Sequence, residues 1–424
     1  MGIWDRKSLS FGFISTRFAG TDGVSLETRK WVDVLTAKGC RVYYMAGKLD
    51  LDEAISHLSP KAFFQHEDIQ AVQHALFVQK RRTKEVSRRV DVLKDELKAD
   101  IEKFHQRFRF DILVVENALT IPVNIPLGLA IAEFIMETGI PTIAHHHDFY
   151  WERQRFQSHA AMDYLRVAFP PVHPSIQHVV INSIAGQELG RRTGVSWVLI
   201  PNVLDFKTMP PEMDDYNRDL RKDIGLDRNS LFILQPTRIV PRKGIERAVE
   251  LVRHLKRPKS SLIISHEAGD EGTAYQNRIE EYAKLLDIDL RIIADRIGDE
   301  REIDEKNRKR YTLWDVYPHA DLVTYPSSYE GFGNAFVEAV YFRKPIVIYE
   351  YAIFEADIKP KGFDVIAISE FLTREIVEKT RKVLSEPARL AEMAEKNYML
   401  GWRYLSYEVL EEKLEQLLIN YYGA

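Results

Sequence analysis

The stretch Tyr325-Pro-Ser-Ser-Tyr-Glu330-Gly-Phe-Gly-Asn334-Ala-Phe-Val-Glu338 sets two glutamates eight positions apart around a short glycine turn. Ahead of it, Ala320 to Tyr325 is an apolar, strand-like run; behind it, Asn334 to Phe342 carries apolar residues at helical spacing. A strand that feeds a helix through glycines is the βα turn of an α/β sheet. Glu330 then stands at the carboxyl end of the strand, and the first free amides of the helix, near Asn334, Ala335 and Phe336, point at an anion. Gly331 and Gly333 let the backbone turn tightly and come close to a ligand. Glu338, one turn in, reaches a neighbouring hydroxyl pair. Alone, the stretch reads as a site for a phosphorylated ligand; the plainer alternative is an ordinary turn whose glutamate serves the helix dipole.

The same rhythm runs through the rest of the chain. Leu9 to Ser15 reads as a buried strand, Val24 to Lys38 as a helix closed by Gly39, and Cys40 to Ala46 as the next strand. A charged, helical excursion follows from Asp52 to Arg109, after which Asp111 to Glu116, Pro141 to His145 and His178 to Asn182 resume the strands. Their continuous apolar runs suit strands covered on both faces. Beyond the polar, proline-containing stretch Phe206 to Asn217, five further strands are predicted: Leu231 to Gln235, Ser261 to Ser265, Leu290 to Ala294, Asp321 to Tyr325 and Pro345 to Ile348. The expected class is α/β, with two Rossmann-like doubly wound domains facing across a cleft. Residues 1–202 form the first, joined by a returning helix at 402–424, and residues 203–401 form the second.

Bulk properties narrow the function. The chain has 424 residues, enough for two cores, with 45% hydrophobic and 29% charged residues. A net charge of −4 gives no global attraction to nucleic acid. One cysteine, Cys40, rules out an internal disulfide, which suits a reducing cytoplasm. No apolar run approaches the roughly 20 residues that span a bilayer, and the first residues lack a signal-peptide hydrophobic region. A cytoplasmic protein with no integral membrane segment is expected. The basic cluster at residues 79–89 reads as a solvated helix face, because Asp91, Asp95 and Glu96 follow at once.

In open parallel sheets, ligands bind beyond the carboxyl ends of the strands. Three more clusters lie there. Gly20-Thr-Asp-Gly23 is a glycine turn feeding a helix, an anion site without the three-glycine dinucleotide fingerprint. His145-His146-His147-Asp148 makes a poor metal site by spacing, since neighbours on an extended chain point to opposite sides, and one inward-facing histidine as a hydrogen-bond partner fits better. In Pro236-Thr-Arg238-Ile-Val-Pro-Arg-Lys243-Gly244, Arg238 and Lys243 can jointly neutralise a diphosphate. Asp287 and Asp289 precede a strand, at the wrong end of the sheet for a ligand, and no Gly-x-Ser-x-Gly elbow supports hydrolase chemistry.

Together these clusters resemble the retaining, nucleotide-sugar-dependent glycosyltransferases of family 4, with their GT-B fold, over nearly the whole chain. Glu330 to Glu338 looks like the family's E-x7-E motif, and Arg238, Lys243, Ile200-Pro-Asn202 and the early glycine loop add to it. The resemblance implies that Arg238 and Lys243 hold the donor diphosphate, that Glu338 takes the ribose hydroxyls, and that the backbone of Phe332, Gly333, Asn334 and Ala335 contacts phosphate or sugar. It places Glu330 and His147 at the reacting sugar, with His146 as the second choice for that histidine, and has Gly20, Asp22 and Gly23 closing over the donor. It implies no metal and no cofactor, the nucleotide sugar being a substrate.

The expected reaction moves a hexosyl group from a UDP-glucose or GDP-mannose type donor to a hydroxyl of a small polar acceptor, in preference to a lipid. Arg17, Asn117, His146 and Arg153 fall near the acceptor rim of the first domain. A phosphorylase or nucleotide-sugar epimerase of the same fold is the alternative reading, and a binding-only protein a further one. Departures from the family pattern are the spaced glycines at 20 and 23, the missing glycine after Asn202, and the bulky Tyr349-Glu-Tyr-Ala-Ile-Phe354 where many relatives are small.

Overall fold

The computed structural model describes residues 9–20, 23–269 and 272–423. The chain divides into two compact units, Met1–Pro201 with Tyr407–Ala424, and Asn202–Ser406.

The first unit is built on a seven-stranded parallel sheet of β1 (Ser10–Ile14), β2 (Arg41–Ala46), β3 (Ser56–Leu58), β4 (Ile112–Glu116), β5 (Thr142–His146), β6 (Ile176–Val180) and β7 (Trp197–Leu199). Their spatial order is β3-β2-β1-β4-β5-β6-β7. The order reverses between β1 and β4, so the loops leaving these two strands diverge and open a crevice. Residues of β1, β4 and β5 are buried throughout, as runs such as Ile-Leu-Val-Val require when helices cover both faces. The 25-residue helix Lys84–Phe108 lays Leu97, Ile101 and Phe104 into this core beside Leu127, Ile131 and Phe134 of the helix Ile125–Thr138. Lys94 and Lys98 both bridge to Glu133 between these helices, at 2.5 and 2.8 Å. In the basic segment, Arg82 pairs with Asp163 at 2.6 Å and Arg89 pairs with Asp68, so part of its charge is already matched.

The second unit repeats the plan with six parallel strands. β8 (Leu231–Gln235), β9 (Ser260–Ile264) and β10 (Asp289–Ile292) precede a small antiparallel ribbon of β11 (Glu302–Ile303) and β12 (Lys309–Arg310); β13 (Leu322–Tyr325), β14 (Ile346–Tyr349) and β15 (Ile366–Ile368) complete the sheet. The order β10-β9-β8-β13-β14-β15 reverses between β8 and β13. There Gln235 links the strand ends, donating to Thr237 Oγ1 at 2.7 Å and accepting from Thr324 Oγ1 at 2.8 Å. Asp289 opens β10 and is committed to Ser261 and Arg291.

Among the described residues, no helix is long and apolar enough to cross a membrane. The C-terminal helical stretch divides at Ser406, between Pro387–Leu405 and Tyr407–Tyr422. The chain therefore re-enters the first unit at Tyr407, five residues later than the helical pattern beginning at Trp402 suggests. Tyr421 Oη then donates to the carbonyls of Thr142 and Ser175, and Gln177 Nε2 donates to that of Leu417.

Candidate active site

In the second unit the residues predicted for a ligand gather at the reversal point. The glycine turn after β13 leads into the helix Asn334–Tyr341, which starts on Gly333 at φ 125°, a conformation that disfavours any side chain. A Cβ there would lie 2.5 Å from Tyr351 Oη. That hydroxyl donates to the Phe332 carbonyl at 2.6 Å, so the bulky segment after β14 braces the turn. Asn334 accepts from Asn202 Nδ2 at 2.5 Å, and Glu338 accepts from Tyr317 Oη at 2.8 Å. Ala335 is buried in the first helical turn.

Glu330 is buried and accepts hydrogen bonds from the Lys243 ammonium and, at 3.1 Å, from Arg242. Burial works against its charge, but Lys243 and Arg242 outweigh it and hold the carboxyl below its ordinary range. Lys243 ends a 3₁₀ turn, Pro241–Lys243, closed by Gly244 at φ 58°, where a Cβ would meet the Pro326 carbonyl at 2.5 Å. Arg238 stands exposed beside them and acts electrostatically on both Lys243 and His266. Two cations thus answer one carboxylate with Arg238 acting beside them, an excess of positive charge suited to a diphosphate. His266, just past β9, is pushed down to about 4 by burial and by Lys243 and Arg238, and is neutral at pH 7. Arg242 and His266 were not singled out from sequence; their place directly after β8 and β9 is the signal that finds them.

In the first unit, Glu116 closes β4 fully buried and takes hydrogen bonds from His145 Nδ1 at 2.9 Å and His147 Nε2 at 3.2 Å. Alternation along β5 puts these two rings on one side and His146 on the other. Burial works against the Glu116 charge, yet the two histidines hold the carboxyl at about 2. His147 is raised above the ordinary histidine value: burial opposes its charge, and the hydrogen bond and charge of Glu116 prevail. Trp31 stacks on His145 at 4.3 Å. His146 is buried, held between Thr120 Oγ1 at 2.8 Å and His178 Nδ1 at 2.9 Å. Glu116, His145 and His147 offer ligand atoms within 4.8 Å of one another, close enough to hold a cation. Because both rings already bond Glu116, the trio also stands as a self-contained ion network. Sequence reading passed over Glu116, whose signal is a lone carboxylate ending an apolar strand.

A cavity of about 210 Å³ opens at the β1/β4 reversal, lined among others by Thr16, Arg17, Phe64, Glu116, Asn117 and Arg155. Asn117 sits at φ 58°, accepting from the His147 amide at 3.1 Å and donating to Asp148 at 3.1 Å. Arg153 is tied to Asp148 and is not part of this lining. Gly20, at φ 76°, donates its amide to Asp50 at 3.0 Å, and Gly23 opens the first helix; Asp22 lies outside the described residues.

Residues 217–399 match the model of the glycosyl transferases group 1 family. A mannosylglucosylglycerate synthase of Petrotoga mobilis is 32% identical over 385 residues, 85% of this chain and 86% of that protein. The chain belongs to the group 1 glycosyl transferases. A second protein of the same name, from Thermotoga maritima, is 30% identical and spans 93% of this chain and 96% of its own. Among solved structures, a sucrose-phosphate synthase from Thermosynechococcus elongatus superposes with a TM-score of 0.66 at 16% identity, covering 98% and 99% of the two chains. That likeness carries the GT-B fold of two doubly wound units. The chain is accordingly a glycosyltransferase.

Proposed function

We propose that this enzyme makes a mannosylglucosylglycerate-type product, moving a mannosyl group from a nucleotide diphosphate mannose onto a hydroxyl of glucosylglycerate. Support comes from two relatives of that name that match almost end to end, and from a second unit whose excess cations at a βα turn suit a diphosphate. In the reaction the bond from the sugar's anomeric carbon to the phosphate oxygen breaks and the electron pair leaves with the nucleoside diphosphate. The acceptor oxygen bonds to that carbon and gives up its proton to an oxygen of the departing diphosphate.

Lys243, Arg242 and Arg238 are assigned to the negative charge that grows on the leaving group, and the backbone of Phe332 to Ala335 to its oxygens. Glu338 is assigned to the ribose hydroxyls. Glu330 is assigned to the positive charge that builds on the sugar ring, and His147 to a hydrogen bond with the transferred sugar. Retention of configuration and metal-independence are part of the proposal through the E-x7-E spacing of Glu330 and Glu338.

The test is to incubate the purified enzyme with GDP-mannose or UDP-glucose, with and without glucosylglycerate, and to follow nucleotide release and product stereochemistry. Acceptor-dependent release of GDP with a retained mannosidic bond is expected. Release that needs phosphate, or epimerisation without acceptor, would replace the proposal with the phosphorylase or epimerase alternative.

A further inference from the structure

The cavity at the β1/β4 reversal has a size and a charge that select one part of a substrate. At about 210 Å³ it falls below the range of roughly 300–1,000 Å³ typical of sites that enclose a whole drug-sized ligand. It suits a part of a ligand, not a whole drug-sized one. Its wall carries two guanidinium groups, Arg17 from the loop after β1 and Arg155 from the segment after β5. Arg17 lies over the Phe64 ring at 5.9 Å and Arg155 over Phe156 at 4.5 Å.

The two neighbouring arginines after β5 differ in their partners. Arg153 is paired with Asp148, which also takes the Asn117 amide. Arg155 has no hydrogen-bond or salt-bridge partner among the described residues, and it feels the charges of both Arg153 and Asp148. Among the described residues the one carboxylate in the lining is Glu116, which is already bonded by His145 and His147. Thr16 also lines this cavity.

We infer that this cavity takes the carboxylate end of the acceptor, with Arg155 as the group that reads it and Arg17 beside it, so that the enzyme selects a small carboxylic acid over the matching neutral polyol. The inference rests on the acceptor reading proposed above and names the residues that enforce it. A planar guanidinium fork matches a carboxylate with two parallel hydrogen bonds, which an alcohol cannot return with charge.

The experiment compares glucosylglycerate with its neutral counterpart glucosylglycerol as acceptors for the wild-type enzyme, Arg155→Ala and Arg155→Lys, with D-glycerate binding measured calorimetrically on the same proteins. Wild type should favour the acid. Arg155→Ala should raise KM for glucosylglycerate about 10- to 100-fold, as loss of a charge-assisted hydrogen bond implies, while leaving nucleotide affinity and the rate with glucosylglycerol within about twofold. Arg155→Lys should recover part of the loss, and D-glycerate binding should fall with Arg155→Ala. Equal use of both acceptors by wild type, or an unchanged KM for the acid in Arg155→Ala, would overturn the inference and leave the reaction standing. If no glycerate acceptor is used at all, the functional reading fails, and D-glycerate binding indifferent to Arg155 would then remove the inference as well.

Discussion

Removing the Lys243 ammonium leaves Glu330 buried with only Arg242 to answer its charge. Lys243→Ala should therefore act twice. It should weaken nucleotide binding by about 1.5–3 kcal/mol, read by calorimetry, and it should lower the stability of the second unit by up to about 3–5 kcal/mol, read by thermal unfolding. Glu330→Gln separates the roles. The amide frees Lys243, so donor affinity should hold or tighten while kcat falls roughly 100- to 1,000-fold, the scale of one preorganised electrostatic contact; unaltered turnover would remove Glu330 from the chemistry. Gly333→Ala meets both an unfavourable φ and the Tyr351 hydroxyl, and should cost about 1–3 kcal/mol. Adding Tyr351→Phe relieves only the clash, so recovery should be incomplete.

At the scale of elements, β4 and β5 carry charges whose pH dependence can be signed. Glu116 is held at about 2 against an ordinary 4.5, so its stabilising contribution is complete above pH 4.5 and is lost as pH falls toward 2. His147 moves the other way: raised above 6.5, it stabilises fully below that pH and loses its contribution as pH climbs through the raised value. Urea unfolding of wild type across pH should fall at both ends. Glu116→Gln should flatten both arms, since one side chain supports each shift.

Elements also differ in how far their sequences announce them. β8 was legible as Leu231–Gln235 because a four-residue apolar run, Leu231 to Leu234, lies between polar neighbours. The expected strand His178 to Asn182 lies two residues earlier, at Ile176–Val180, since Asn182 is taken as the cap of the next helix, accepting from the Ala185 amide at 2.8 Å. β3, β7 and β15, three residues each, were not found. Edge strands of that length draw their conformation from the neighbour they pair with, and carry no periodicity of their own. The same holds for the site: Arg238, Lys243 and Glu330 stand out in sequence, whereas Glu116, Arg155 and Tyr351 gain meaning only from strands and segments brought together by the topology.

At the scale of the molecule, the first unit is completed by a segment that follows the entire second unit. Leu410, Leu414, Leu417 and Leu418 of the helix Tyr407–Tyr422 are buried. Leu414→Ala should cost about 2–5 kcal/mol, and calorimetry should assign the loss to the transition of the first unit while the second is unmoved. A single shifted transition would instead show that the two units unfold together.

The return of the chain at Ser406 has a consequence for biosynthesis. A nascent polypeptide leaving the ribosome holds the first sheet without its closing helix while roughly 200 further residues are made, about 10–40 s at the usual elongation rates of about 5–20 residues per second. Over that interval the bare apolar face is open to holdase chaperones and to neighbouring nascent chains. The second unit, continuous in sequence, meets no such wait, so newly made protein should first become protease-resistant over Asn202–Ser406 and over the remainder only once the helix Tyr407–Tyr422 has emerged.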